Sequence, residues 1–116
     1  MPLFLIAAQH RADSPFNLLG DPAPVWAALE ELDAQMREAG VLVFSQGLRD
    51  PEFSVTFRAQ PDGGLARASG PYGHGTLAGM WIVDCEAADA ETWAKRCATA
   101  HRCDVELRPF QQELGE

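Results

Sequence analysis

Two runs of this sequence, Leu3-Phe-Leu-Ile-Ala-Ala8 and Leu77-Ala-Gly-Met-Trp-Ile-Val-Asp84, are apolar at successive positions rather than at alternating ones. A strand of that kind presents no polar face, so it has to be covered on both sides. The remaining sequence predicts only two helices to do the covering. The first has Asp21 at the N-cap, Pro22 at the first helical position and Gly40 as its C-terminal glycine, with Val25, Leu29, Leu32, Met36 and Ala39 recurring every three or four residues. In the second, Asp89 is the expected cap, and Trp93, Ala94, Cys97 and Ala100 form the apolar stripe.

Further strands are expected at 41–44, at 53–58 and at 104–108, the last stopped by Pro109. Within 53–58, Phe53, Val55 and Phe57 alternate with Ser54, Thr56 and Arg58, the pattern of a half-exposed strand. Pro61-Asp-Gly-Gly64 is a turn, since proline presets one backbone angle and glycine accepts positive φ, and 65–69 returns as the hairpin partner. The order is strand, helix, strand, hairpin insertion, strand, helix, strand. Two helices cover one face of such an antiparallel sheet, which leaves the apolar second face of the 3–8 and 77–84 strands to the sheet of another copy. The expected architecture is α+β: a ferredoxin-like dimeric α+β barrel, with two helices on one face and a β-hairpin insertion.

At 116 residues, 47% apolar and 22% charged, the chain has the composition of one globular domain, expected over residues 1–110 with a polar tail at 111–116. A formal charge of −8, with no cluster of lysine or arginine, argues against nucleic acid as a partner. No apolar run reaches membrane-span length, and the run near the N-terminus lacks the basic lead of a signal peptide, so a cytoplasmic protein with no membrane partner is expected. The odd set Cys85, Cys97 and Cys103 reads as reduced thiols.

Function is concentrated in the loop Ser69-Gly-Pro-Tyr-Gly-His-Gly75, where glycine and proline set the backbone and serine, tyrosine and histidine bring polar groups. Together with Met36-Arg-Glu-Ala-Gly-Val-Leu-Val43, Gln46-Gly-Leu48, the 77–84 run and Val105-Glu-Leu-Arg-Pro109, this loop resembles the YCII-related family, in particular the branch named for its Asp-Gly-Pro-Phe motif. The resemblance covers most of the chain. It implies a dimeric α+β barrel with a cleft between helix, sheet and motif loop, in a family where a few members act on small lactones or chlorinated ring-cleavage products. Ser69 stands at the motif aspartate and Tyr72 at its phenylalanine. The family's proposed catalytic histidine falls near the start of the first helix, and 22–31 contains none.

Candidate catalytic residues are therefore sought elsewhere. Flanked by two glycines, His74 is free to turn its ring into a cleft as a general base, although a mobile surface histidine has the same sequence signature. His10 and Asp13 follow the first strand at a spacing of three, so the carboxylate is able to orient the imidazole, or merely to cap the loop. Ser69, Tyr72, Trp26 and Arg49 are the candidate substrate-binding groups: two hydroxyls, an aromatic ring off the main helix stripe, and a cation for an anionic ligand. Cys97, His101 and Cys103 match no common zinc spacing, and Cys97 falls on the apolar stripe, so no metal is expected. Nor do the glycines spell a nucleotide loop, and no cofactor is expected. The resulting expectation is a homodimer performing cofactor-independent acid–base chemistry on a small molecule, with a non-catalytic binding or accessory module as the alternative.

Overall fold

The computed structural model describes residues 2–11 and 21–111. Its elements are β1 (Leu3–Gln9), α1 (Ala23–Glu38), β2 (Leu42–Gly47), a 3-10 turn at Pro51–Phe53, β3 (Val55–Ala59), β4 (Leu65–Ser69), β5 (Leu77–Asp84), α2 (Ala87–His101) and β6 (Asp104–Pro109). The main sheet has the order β2-β5-β1-β6 with every neighbour antiparallel, while β3 and β4 form a separate two-stranded sheet. This is the strand order of a ferredoxin-like α+β fold, with the hairpin inserted between its second and third strands.

Local chemistry sets the boundaries. The Asp21 carboxylate accepts a hydrogen bond from the Ala23 amide at 3.0 Å, so it caps α1 from one residue further out than expected, with Pro22 as the N-cap residue. At the other end Gly40, with φ of +75°, lets its own amide reach Arg37 and the Val41 amide reach Met36, which closes the helix with satisfied carbonyls. Ala39 is exposed there and drops out of the expected apolar stripe, whose buried members are Val25, Leu32 and Met36. Helix α2 starts three residues earlier than expected, with Glu86 as N-cap and Asp89 in the first turn, where its charge favours the helix dipole.

Both helices pack on one face. Phe4, Ile6 and Ala8 of β1 and Trp81 and Val83 of β5 meet Leu32 and Met36 of α1 and Ala90 and Cys97 of α2 in a single buried cluster. The opposite parity, Leu3, Leu5 and Ala7 of β1 with Met80 and Ile82 of β5 and Phe44 of β2, faces away from the helices, as the register pairs Leu5 with Ile82 and Phe44 with Ile82. Along β6, that face ends in Glu106 and Arg108, paired at 2.7 Å. No other described element lies over it.

The hairpin departs from the expected burial. Val55, Phe57 and Leu65 share one hairpin face and all three are exposed, Phe57 by 61% and Leu65 by 71%. Alternation places these side chains on a common face; it does not supply the layer that covers them. Phe53 lies in the 3-10 turn before β3 and not in the strand.

Candidate functional site

One end of the two-layer stack collects the chemistry. Because the sheet is antiparallel, the C-terminal ends of β1 and β2 lie beside the N-terminal ends of β5 and β6, and the connections bring the start of α1 and the end of α2 to the same place. Backbone bonds fix this end: the His10 amide donates to Thr76 O at 2.7 Å and the Leu48 amide to Ala78 O at 2.8 Å. The Thr76 hydroxyl also donates to Gln9 Oε1 at 2.8 Å, tying the end of β1 to the entry of β5.

A cleft of about 770 Å³ opens here, and His10, Trp26, Arg49, His74 and His101 all line it. That volume is within the usual range for a small-molecule site. An outer part, about 680 Å³, continues along Arg49, Phe53, Tyr72 and His74. Sequence distance hides this grouping, because the five residues of the inner part come from three different connections, the first turn of α1 and the end of α2.

His10 forms the inner wall. Its imidazole is half-buried, and burial lowers its pKa below the ordinary 6.5, which leaves the ring neutral near neutral pH. His101, the last residue of α2, stands against it with Nδ1 3.3 Å from His10 Nε2, and its pKa is lowered by burial first and by His10 second. The indole of Trp81 meets the His101 ring edge-on at 6.2 Å. Behind it, the Asp33 carboxylate accepts hydrogen bonds from Trp81 Nε1 and Ser45 Oγ, both at 2.8 Å.

The outer wall is more open. Gly73 and Gly75 both have positive φ, +66° and +67°, and hold the exposed His74 on the rim between them. A side chain at Gly75 would run into Pro71 at 2.8 Å and Pro51 at 3.0 Å, so this glycine is also required by the close approach of the two loops. Arg49 lays its guanidinium 3.8 Å from the centre of the Phe53 ring, which holds the cation at the cleft. Tyr72 is 77% exposed, with the Arg58 guanidinium 5.4 Å from its ring centre.

Of the residues singled out from sequence, His10, His74, Trp26 and Arg49 converge on the inner cleft, and Tyr72 joins them in the outer part. Ser69 is not among the lining residues; it ends β4, opposite Val55 in the hairpin ladder. Asp13 lies outside the described residues. Sequence reasoning missed His101 as a cleft residue and the Trp81–Asp33–Ser45 network. The available signal was a histidine at the end of α2, because the fold brings that helix end beside the residue following β1.

The thiols are unequal. Cys97 is fully buried on the α2 stripe and its pKa is pushed up to about 12, by burial first and by the charge of Asp33 second. Cys103 is half-buried, and burial raises it to about 11 against an opposing hydrogen bond from the Gln9 backbone.

The chain matches no protein-family model, and no curated protein matches it significantly.

Proposed function

We propose that this chain is a YCII-related protein that works as a homodimer and uses the cleft at the end of its sheet for acid–base chemistry on a small anionic molecule. The observation that carries the reading is the convergence of His10, Trp26, Arg49 and His74 on one cleft. A neutral imidazole is the form that accepts a proton, and burial keeps His10 in that form. Arg49 supplies a cation for a carboxylate, Trp26 an apolar wall, and His74 a second imidazole on the rim. No cofactor is required for proton abstraction next to a carbonyl by such a set.

Dimerisation is supported by the uncovered sheet face. Leu5, Met80, Ile82 and Phe44 make a contiguous apolar strip of the kind that isolated soluble monomers seldom leave open. A second copy placed face to face buries it by symmetry, and the apolar hairpin face of Val55, Phe57 and Leu65 then has a partner within reach. Ile82→Glu is expected to convert a dimer, measured by sedimentation equilibrium, into a monomer. A wild-type chain that sediments as a monomer at all concentrations refutes the barrel.

The chemical part is tested with an unsaturated γ-lactone carboxylate in D₂O, following deuterium incorporation at the carbon next to the carbonyl by proton NMR. The wild type is expected to accelerate exchange, and His10→Ala to remove at least about tenfold of it, the low end for a lost general base. The loop position where the resembled family carries an aspartate is Ser69, which favours a second reading, a binding or accessory module without catalysis. Saturable lactone binding with no acceleration over buffer selects that reading.

A further inference from the structure

Three side chains from three segments bring donor atoms together at the inner end of the cleft. His10 Nε2 lies 3.3 Å from His101 Nδ1, Cys103 Sγ lies 2.9 Å from that same Nδ1, and the three donor atoms all fall within 4.8 Å of one another. A ring nitrogen carries either one proton or one lone pair, so it makes one good hydrogen bond and not two. Convergence of an imidazole and a thiol on a single nitrogen is an arrangement that a shared cation satisfies, because each donor then directs a lone pair at one common point.

We propose that His10, His101 and Cys103 form a three-ligand site for a zinc-class divalent ion, whose fourth coordination position faces the cleft. The donor set decides the class: two imidazoles and a thiolate suit zinc, whereas magnesium and calcium require oxygen ligands. The spacing agrees, since two donors bound to one tetrahedral zinc lie about 3.3–3.6 Å apart. The two histidine nitrogens already stand at 3.3 Å, the 2.9 Å sulfur contact has to open by about half an ångström, and the third pair, His10 with Cys103, within 4.8 Å, has to close by up to about 1.2 Å. His10 and His101 both line the cleft, which gives the remaining position its access.

Three supports hold the ligands in place. Arg102 is the only non-glycine residue with positive φ among the described residues, at +57°, and this left-handed turn sets His101 and Cys103 side by side between α2 and β6. The backbone of Gln9 hydrogen-bonds the Cys103 sulfur, and the edge of Trp81 abuts the His101 ring. Cys97, one helical turn before His101, is sealed in the core, and the third ligand comes instead from His10, 91 residues away from His101. The proposal stands on this cluster and not on proton transfer in the cleft: an ion-bound His10 and a His10 acting as base are alternative states of one side chain.

The test uses the full chain, reduced and stripped with chelator, titrated anaerobically with Co²⁺ alone and then with Zn²⁺. One cobalt per chain is expected, with a thiolate-to-metal charge-transfer band in the near ultraviolet and intense visible bands of tetrahedral coordination, all bleached by stoichiometric zinc. Cys103→Ser is expected to abolish the charge-transfer band, His10→Ala to weaken cobalt binding by about tenfold or more, and Cys97→Ala to keep the band. Absence of a saturable thiolate band in the wild type overturns the proposal, as does a band that survives in Cys103→Ser. If that variant fails to fold, zinc protection of Cys103 against iodoacetamide in the wild type, mapped by mass spectrometry, decides; unprotected alkylation at Cys103 refutes the site.

Discussion

Replacing Trp81 separates packing from hydrogen bonding at the point where the core meets the cleft. The indole is 4% exposed, packs within the helix-facing cluster, and gives its N–H to Asp33 Oδ1 at 2.8 Å. Trp81→Ala removes the whole ring, and truncation of a large buried aromatic costs about 3–5 kcal/mol. The Asp33 carboxylate also loses one donor, but Ser45 still serves its other oxygen and the group is only half-buried, so this adds about 1 kcal/mol, the low end for an orphaned acceptor. With a urea slope of about 1.5 kcal/mol per molar, a loss of about 4–6 kcal/mol lowers the unfolding midpoint by roughly 3–4 M. Trp81→Phe keeps most of the volume and loses only the N–H, so its expected cost is about 1–2 kcal/mol. The assay is urea unfolding followed by circular dichroism, at one fixed protein concentration so that self-association does not enter the comparison. An alanine variant within about 1 kcal/mol of wild type refutes the buried-ring argument. A phenylalanine variant as damaging as the alanine one places the energy in the Asp33 bond instead.

Gly75→Ala is expected to destabilise the chain by more than Gly73→Ala, although both residues have nearly equal positive φ: only at Gly75 does the new carbon meet Pro71 and Pro51, whereas at Gly73 nothing lies within 4 Å. Gly73→Ala should cost about 1 kcal/mol of backbone strain, and equal losses by thermal unfolding contradict the steric account. In metal-free protein, stability should fall as the pH drops below 6.5, the ordinary histidine value, because His10 and His101 titrate lower in the folded chain than in the unfolded one. The unfolded chain then binds protons that the native state refuses; above that pH both states are neutral and the contribution vanishes, and below the folded values it levels off. Urea unfolding of wild type and of His10→Gln/His101→Gln at about pH 7.5 and 5.5 tests this, and an equal pH dependence in both proteins refutes it.

Much of the fold is legible in the residues. Continuous apolar runs place β1 and β5, the Pro61–Gly64 turn places β4 as a hairpin return, the period of 3.6 places both helices, and Gly40 ends α1 where a left-handed residue was needed, because these signals depend on contacts within a few residues of chain. The corrections fall where the local rule has a competitor. Asp21 caps from one residue further out because Pro22 itself takes the N-cap position, and the alternating residues of β3 are exposed because alternation encodes which side chains share a face, not what lies against it.

The site divides in the same way. That a glycine-bracketed histidine and a histidine just past β1 belong to connections was evident from sequence, since connections carry turn residues and strands carry apolar runs. Which connections meet was decided by the antiparallel order β2-β5-β1-β6, which brings the end of α2 against the end of β1 and sets His101 and Cys103 beside His10. The same topology removed Ser69 from the cleft by committing it to the hairpin. The sequence by itself determined the elements and their apolar faces, because helical and strand periodicity are properties of neighbouring residues. Only the tertiary structure decided the partners of His10, because hydrogen-bonding and ligating groups act over about 3 Å and carry no periodic trace along the chain.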